Sequence, residues 1–308
     1  MIYDLAILGG GPAGVAAGVY AARKKINTVF LTPDFGGQSI VSPGIENWIG
    51  TKNISGEDLA NQLKEHLFAY QGQGLEIRAG ERVTKINKTA DGFEVATEKN
   101  NYQTKTVLIT TGAHRRKLTI PGADTFEQKG ITYCATCDGP LFSGRNVIVI
   151  GGGNAAFESA LQLLAYCQSV TIIHHSAEFK ADPITVEKVL ANPKAKVIKN
   201  AETMEIKGSK FANALVYKDK ITGETHELAT GGIFVEIGFI PTTEFAKDLI
   251  NLNPYGSIVV DPKNQRASLT GIWAAGDCTN GLYHQNNIAA GDAIKALEDI
   301  YIYLQTGK

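Results

Sequence analysis

Cysteine is scarce: four in 308 residues, too few to staple a chain of this length, so the reducing cytoplasm is the expected compartment. Neither sign of charge is in surplus. Thirty Lys and Arg stand against 31 Asp and Glu, for a net charge of -1. Sequence-independent nucleic-acid binding needs a large basic excess, so no nucleic-acid partner is expected. No apolar run approaches the ~18 residues of a membrane helix, so no membrane partner is expected either. Met1-Ile2-Tyr3-Asp4 leads straight into an apolar strand. A basic leader and a small-residue cleavage site are missing there, and no secretory signal is expected. A 44% hydrophobic and 20% charged composition excludes wholesale disorder, and the length suits about two domains at roughly 150 residues each.

Glycine, by contrast, is abundant: 33 residues, about 11% against an average near 7%. Residues 4–8 read as a short buried strand, followed at once by Gly9-Gly10-Gly11-Pro12-Ala13-Gly14. An Ala-rich helical run from Val15 to Arg23 and a second strand, residues 28–31, complete a Rossmann-type unit. In it Gly9 permits the tight turn, Gly11 lets backbone approach a pyrophosphate, and Gly14 lets helix and strand pack closely. The helix N-terminus offers unpaired N–H groups to phosphate oxygens. The pattern repeats. Strand 146–150 is followed by Gly151-Gly152-Gly153-Asn154-Ala155-Ala156, a helix from Phe157 to Ala165 and a strand over 170–173, with Ala156 in the third glycine position. Two fingerprints imply two dinucleotides, and the economical pair is FAD with a nicotinamide nucleotide. Gly271 to Asp277 supports the flavin by placing a short strand before Gly276-Asp277, and Gly291 to Tyr303 reads as a closing helix.

Cys134-Ala135-Thr136-Cys137-Asp138 lies just ahead of the second fingerprint. A two-residue spacer fits a disulfide at a helix start, where the dipole activates a thiol. Asp138 puts a carboxyl beside the pair, able to give and take a proton as thiolates form and leave. Half of a zinc site and an inert buried pair are the alternatives. Zinc needs two more ligands, and neither the isolated Cys167 and Cys278 nor His174-His175 stands at a regular spacing from the pair. Cys167, late in an apolar helix, and Cys278 read as packing residues.

These residues together resemble the low-molecular-weight thioredoxin reductases over almost the whole chain. The resemblance rests on Gly9 to Gly14, Gly36-Gly37-Gln38, Glu46-Asn47-Trp48, Thr111-Gly112-Ala113, Cys134 to Asp138, Gly151 to Ala156 and Gly276-Asp277. In Cys137-Asp138-Gly139-Pro140-Leu141-Phe142 and Gly276-Asp277-Cys278-Thr279 the chain is more similar to the C-terminal part of the alkyl hydroperoxide reductase flavoprotein. The resemblance implies an α/β fold of two Rossmann-like dinucleotide-binding domains, the second inserted into the first. The FAD domain would comprise residues 1–115 and 248–308, and the nicotinamide-nucleotide domain 116–247. The turn-rich stretches at Pro121-Gly122 and Ile240-Pro241 suit the crossovers.

The resemblance also implies a mechanism and its residues. NADPH or NADH reduces FAD, FAD reduces the Cys134–Cys137 disulfide, and the inserted domain rotates so that the dithiol meets a thioredoxin-like protein. Cys137 would face the flavin, Cys134 would attack the substrate through a mixed disulfide, and Asp138 would be the acid and base. FAD would be held by the first fingerprint (Gly9, Gly11, Pro12, Ala13, Gly14), by Pro33, Asp34, Gly36, Gly37 and Gln38 in the stretch up to Ile40, and by Asn47 and Val83. Thr111, Gly112, Gly276, Asp277, His284, Gln285 and Asn286 would complete its site. The nicotinamide nucleotide would take Gly151, Gly153, Asn154, Ala155, Ala156, His174, His175 and Lys180. The resemblance also implies a homodimer, the usual state of family members.

Two departures from the family pattern bear on chemistry. The usual phosphate site, His-Arg-Arg with another Arg four residues on, is His174-His175-Ser176 and Lys180 here. Guanidinium forks grip a ribose 2′-phosphate bidentately. Their loss, with no carboxylate at the strand end in exchange, leaves NADH and NADPH both open. The second departure is His284-Gln285 in place of Arg-Gln, which puts a residue that titrates near neutrality beside the flavin. His114-Arg115-Arg116-Lys117, at the first crossover, reads as a solvated linker face or as a contact for an acidic partner. Two other functions stay open: a reductase of a peroxiredoxin system or NADH oxidase, and a non-catalytic nucleotide sensor or zinc-binding module.

Overall fold

The computed structural model describes residues 2–307 except Pro43, and for Val41 and Cys137 the backbone alone. The chain divides into two compact units, residues 1–114 with 240–308, and residues 115–239.

The first unit opens with β1 (Ile2–Leu8), α1 (Pro12–Arg23) and β2 (Thr28–Thr32), then α2 (Gly56–Phe68), β3 (Leu75–Ala79), β4 (Val83–Thr89), β5 (Gly92–Thr97) and β6 (Asn101–Ile109). β7 (Ala113–Arg115) leads out of it. The second unit runs through β8 (Ile131–Thr132), α3 (Ala135–Asp138), β9 (Asn146–Ile150), α4 (Asn154–Leu163), β10 (Ser169–Ile173), α5 (Pro183–Leu190) and β11 (Ala195–Ile198). It continues with β12 (Ala201–Gly208), β13 (Ala212–Asp219), β14 (Thr225–Ala229) and β15 (Gly232–Val235). β16 (Phe239–Pro241) leads back, and β17 (Ile272–Ala274) and α6 (Asn286–Thr306) finish the first unit.

In the first unit the strand order is β3-β2-β1-β6-β5-β4, with β17 also on β6. β3, β2, β1, β6 and β17 are parallel, and β4, β5 and β6 form an antiparallel meander. Both faces of this sheet are covered, which is why β1 and β2 are apolar without alternation. On one face Ala17 and Ala21 of α1 pack in a core with Ala289, Ala293 and Ala296 of α6, small residues that let two helices approach closely. The second unit holds a parallel sheet, β11-β10-β9-β15-β8, and a separate antiparallel sheet, β12-β13-β14. Its order reverses between β9 and β15, the switch point where ligands of doubly wound sheets bind.

The helices start earlier than the apolar pattern indicates: α1 at Pro12, α4 at Asn154 and α6 at Asn286. In α1 the proline at the first turn has no N–H to leave unpaired and its φ is already helical. The connecting strands β7 and β16 pair with each other. The Arg116 N–H donates to the Gly238 carbonyl at 2.9 Å and the Thr242 N–H to the Gly112 carbonyl at 3.0 Å. Return to the first unit therefore comes at Ile240, ahead of residue 248, because Phe245 and Ala246 already pack in its core. Pro121-Gly122 is not a crossover: the Ile206 N–H of β12 donates to the Pro121 carbonyl at 2.9 Å inside the second unit.

Candidate active site

In the first unit the glycine turn forms the floor of a cavity of about 1220 Å³. Gly9 sits at φ 121°, in the left-handed half of backbone space, and a side chain there would overlap the Thr110 carbonyl. A Cβ on Gly14 would overlap the Gly9 carbonyl, so only glycine lets α1 start this close to β1. Gly11 meets nothing nearer than the Gly37 Cα at 4.0 Å, which leaves its face open to a ligand. The cavity is lined by Gly9, Gly11, Pro12, Ala13, Pro33, Asp34, Gly36, Gly37, Gln38, Val83, Thr111, Gly112, Gly276, Asp277 and Asn286. It therefore gathers most of the expected FAD positions from separated segments of the chain. Gly14 lies behind the turn. Asn47, His284 and Gln285 stand beside the lining and brace it.

That bracing is a hydrogen-bonded rim. Gln38 Nε2 donates to Asp277 Oδ2 at 3.5 Å, and His284 Nδ1 lies 3.4 Å from Asp277 Oδ1. Ser39 Oγ donates to Asn286 Oδ1 at 2.9 Å and Asn47 Nδ2 to Gln285 Oε1 at 2.9 Å. The Gly36 N–H donates to the Gly10 carbonyl at 3.1 Å, tying the Gly36-Gly37 loop to the glycine turn. The volume, the open Gly11 face above the N-terminus of a twelve-residue helix and the polar rim fit a dinucleotide. Thr242, Glu244 and Lys247 also line the cavity. No local motif marks them; their place follows from the β7–β16 pairing.

The second unit has the same turn with a different underside. A Cβ on Gly151 would overlap the Glu236 carbonyl, and one on Gly152 would overlap the imidazole of His174. Gly153 has nothing within 4 Å of that position, so its face is open where α4 begins. Ala156 is fully buried, as the third position of the turn must be. Ala155 is partly buried, and the exposed Asn154 accepts the Asp182 N–H on Oδ1 at 2.7 Å. His174 is not a surface phosphate ligand. It is 5% exposed, its Nε2–H donates to the Glu178 carbonyl at 3.0 Å, and burial pulls its pKa below the ordinary histidine value. The reason is steric: the ring fills the hollow that Gly152 leaves. His175 and Lys180 are exposed beside it. Two lysines that no motif announced join them. Lys199 Nζ stands 4.4 Å over the Phe179 ring, and Lys220 Nζ donates to the His175 carbonyl at 3.1 Å.

The redox segment follows β8. Cys134 is in a disulfide; the side chain of Cys137 lies outside the described residues. Cys167 and Cys278 are buried free thiols. Burial raises the pKa of both, that of Cys278 to about 12, so neither is nucleophilic. α3 is a single turn. The Cys134 N–H donates to Thr132 Oγ1 at 3.3 Å, and the Asp138 N–H donates to the Cys134 carbonyl at 3.0 Å. Thr132 Oγ1 in turn donates to Asp138 Oδ2. Asp138 Oδ1 is buried with no hydrogen-bond partner among the described residues, and burial raises the carboxyl above the ordinary aspartate range. An orphaned oxygen on a desolvated carboxyl favours the protonated form, a proton donor next to the disulfide. Among the described residues no group of three His, Cys, Asp or Glu could hold a metal, and Cys134, oxidised, is no thiolate ligand.

In the basic run at the crossover only Arg115 turns inward; His114, Arg116 and Lys117 are exposed. Arg115 Nη1 lies 3.2 Å from Glu236 Oε2 and Lys117 Nζ 2.7 Å from Glu127 Oε1. Glu236 is 8% exposed, and Oε1 accepts from Ser159 Oγ at 2.7 Å. Glu236 was not legible as a site residue, because its neighbourhood forms only when β15 lies between β8 and β9.

Comparison with known proteins places this geometry. The family described as pyridine nucleotide-disulphide oxidoreductase matches residues 3–293. A protein of Bacillus subtilis (strain 168) named NADH dehydrogenase is 39% identical over 303 residues, 98% of this chain and 58% of that one. A component of alkyl hydroperoxide reductase from Pseudomonas putida is 40% identical over 298 residues, 96% of this chain and 56% of that one. This chain thus spans under two thirds of the curated relatives it matches. The crystal structure of thioredoxin reductase from Streptococcus pyogenes MGAS5005 matches at a TM-score of 0.87 and 34% identity, over 99% of both chains.

Proposed function

The chain belongs to the pyridine nucleotide-disulphide oxidoreductase family, whose members use FAD and a nicotinamide nucleotide, and on that premise we propose that it is a thioredoxin reductase-like disulfide reductase. Electrons pass from NADH or NADPH through FAD to the Cys134–Cys137 disulfide and on to a thioredoxin-like protein. One observation carries this reading: a disulfide at Cys134 beside the half-buried Asp138, whose Oδ1 is out of solvent without a hydrogen-bond partner among the described residues and whose pKa burial raises.

FAD supplies the two-electron relay between nucleotide and disulfide. The first unit's cavity would hold it, with the Gly11 face and the N-terminus of α1 for the pyrophosphate and Asp277, Gln38 and Asn286 as polar contacts. The open Gly153 face and the N-terminus of α4 would hold the nicotinamide nucleotide's pyrophosphate, with the exposed His175 and Lys180 as further contacts. Reduction of the disulfide leaves sulfurs that need protons. Thr132 holds Asp138 against the Cys134 backbone, so the carboxyl donates and recovers a proton there. Cys134 then attacks the partner's disulfide, and Cys137 resolves the mixed disulfide. The balanced charge, the few cysteines and the family resemblance suit a homodimer in the cytoplasm; among the described residues no helix is long and apolar enough to cross a membrane.

The names of the curated relatives favour a second reading, a reductase of a peroxiredoxin system or an NADH oxidase. Anaerobic titration of the yellow protein with NADH and NADPH in parallel, followed by turnover with thioredoxin, a glutaredoxin-like protein or oxygen alone, separates the readings. Bleaching by one nucleotide and turnover with thioredoxin support the first. Turnover with oxygen alone, unchanged by loss of the cysteines, refutes it.

A further inference from the structure

Thr132, Cys134 and Asp138 are joined in a closed ring of hydrogen bonds. The Cys134 N–H donates to Thr132 Oγ1 at 3.3 Å, the Thr132 hydroxyl donates to Asp138 Oδ2, and the Asp138 N–H returns to the Cys134 carbonyl at 3.0 Å. Thr132 is itself fixed: it is 8% exposed on β8, level with Phe234 of β15. Asp138 stands where a carboxylate ordinarily caps the next helical turn. That turn, Gly139–Phe142, receives no side-chain cap from it, because Thr132 engages the carboxyl instead. Oδ1 is left over, out of solvent and without a hydrogen-bond partner among the described residues.

We propose that Thr132 is a positioning residue for disulfide interchange: it occupies Oδ2 of Asp138, so that Oδ1 is the oxygen that gives and takes the proton. The inference rests on the disulfide-reductase reading and deepens it. A hydroxyl has one proton to donate and two lone pairs. Thr132 accepts the Cys134 N–H on one lone pair and gives its proton to Oδ2. Were the acid proton on Oδ2, the buried Thr132 hydroxyl would have no acceptor among the described residues, a costly loss. In the neutral carboxyl Oδ2 is therefore the carbonyl oxygen, and the proton sits on Oδ1. The same bond favours the ionised carboxyl and offsets part of the burial that raises its pKa. Arg115 is the charged side chain that also lowers it. The α4 side chain that reaches α3, Gln162, is uncharged and accepts from Thr136 at 3.1 Å.

Interchange balances through that one atom. Oδ1 takes the proton of the Cys134 thiol, and the thiolate bonds to one sulfur of the partner's disulfide. The partner's S–S bond breaks, and the departing sulfur takes the proton from Oδ1. Oδ1 then takes the Cys137 thiol proton, Cys137 bonds to Cys134 Sγ, and the mixed disulfide breaks. The second departing sulfur receives that proton. The partner gains two electrons and two protons, the enzyme's dithiol loses them, and the Cys134–Cys137 disulfide is restored.

The test reads the carboxyl directly. In the flavin-loaded protein the infrared carbonyl band of protonated Asp138 is assigned by its loss in Asp138→Asn. Thr132→Val keeps the shape and removes the hydroxyl, and Thr132→Ser keeps the hydroxyl. Thr132→Ala, which also lacks it, keeps the test open if Thr132→Val fails to fold. A carbonyl that accepts a hydrogen bond absorbs at lower frequency than a free one. The band is therefore expected to move to higher frequency in Thr132→Val and Thr132→Ala and to return in Thr132→Ser. The Asp138-dependent midpoint in the pH profile of interchange with a small disulfide is expected to rise in the first two, since a bond that favours the carboxylate is gone. Their interchange rate at neutral pH is expected to fall about tenfold or more, toward the ~10²–10⁴-fold that a positioned acid or base contributes. Thr132→Ser restores it. A lost contact that only loosened the fold would move neither the band nor the midpoint. A band unmoved in the variants without the hydroxyl overturns the proposal, as does a Thr132→Ser variant as slow as Thr132→Val. Failure of the disulfide-reductase reading shows separately, as absent turnover with every protein disulfide while the band still shifts.

Discussion

Gly152 lies against the imidazole of His174, with no room for a Cβ between the turn and the ring. The middle glycine of the second fingerprint is thus required by a neighbour inside the protein. The ring is locked in place by its bond to the Glu178 carbonyl and by Phe179, whose centroid is 5.6 Å away.

Gly152→Ala is therefore expected to destabilise the protein by ~1–3 kcal/mol, the usual range for overpacking a filled site. In a His174→Ala background the same change is expected to have less than half that effect, since its obstacle is gone. Urea unfolding of the four proteins measures the coupling, and strict additivity would exclude the contact as the cause.

The buried imidazole also sets a pH dependence. Burial lowers the folded-state pKa of His174 below the ordinary histidine value of 6.5. Below about that pH the unfolded chain binds the proton and the folded chain does not, so stability is complete above it and lost as the pH falls through it. Between pH 7.5 and 5.5 the wild type is expected to lose more unfolding free energy than His174→Gln. Equal losses would show that the ring titrates freely.

Cys134→Ser and Cys137→Ser are each expected to drop disulfide reduction to background while the protein stays yellow, because the residues proposed to hold FAD belong to the first unit and both cysteines to the second. Flavin absorbance and thioredoxin turnover on the same sample check this. Wild-type turnover in either variant contradicts the proposed mechanism.

His284 stands 3.4 Å from Asp277 at the cavity rim. His284→Arg makes that ion pair permanent, since a guanidinium does not titrate. Any pH dependence of flavin reduction between about 5.5 and 7.5 is expected to flatten. A stopped-flow profile identical to that of the wild type would remove His284 from the account.

Much of this protein follows from local sequence. Glycine spacing after an apolar strand located both dinucleotide turns, since a tight turn, an open backbone face and a close helix start each exclude a side chain at a known offset. The Cys134 segment was legible for a similar reason: two thiols and a carboxyl within five residues stay together in any fold. Helix starts were less legible, because Pro12 and Asn154 begin their helices at the polar turn, before the apolar period sets in.

Folding alone decided what pairs across long intervals. His174 reads as a phosphate ligand by position, yet the hollow under Gly152 draws it inward. Arg115 reads as a solvated cation, yet β15 returns 121 residues later to set Glu236 against it. The rim that joins Asn47 to Gln285 spans 238 residues. Sequence determines the turns and the reactive groups because their constraints act over a few bonds. Burial and charge pairing depend on which strands become neighbours, and only the tertiary structure decides that.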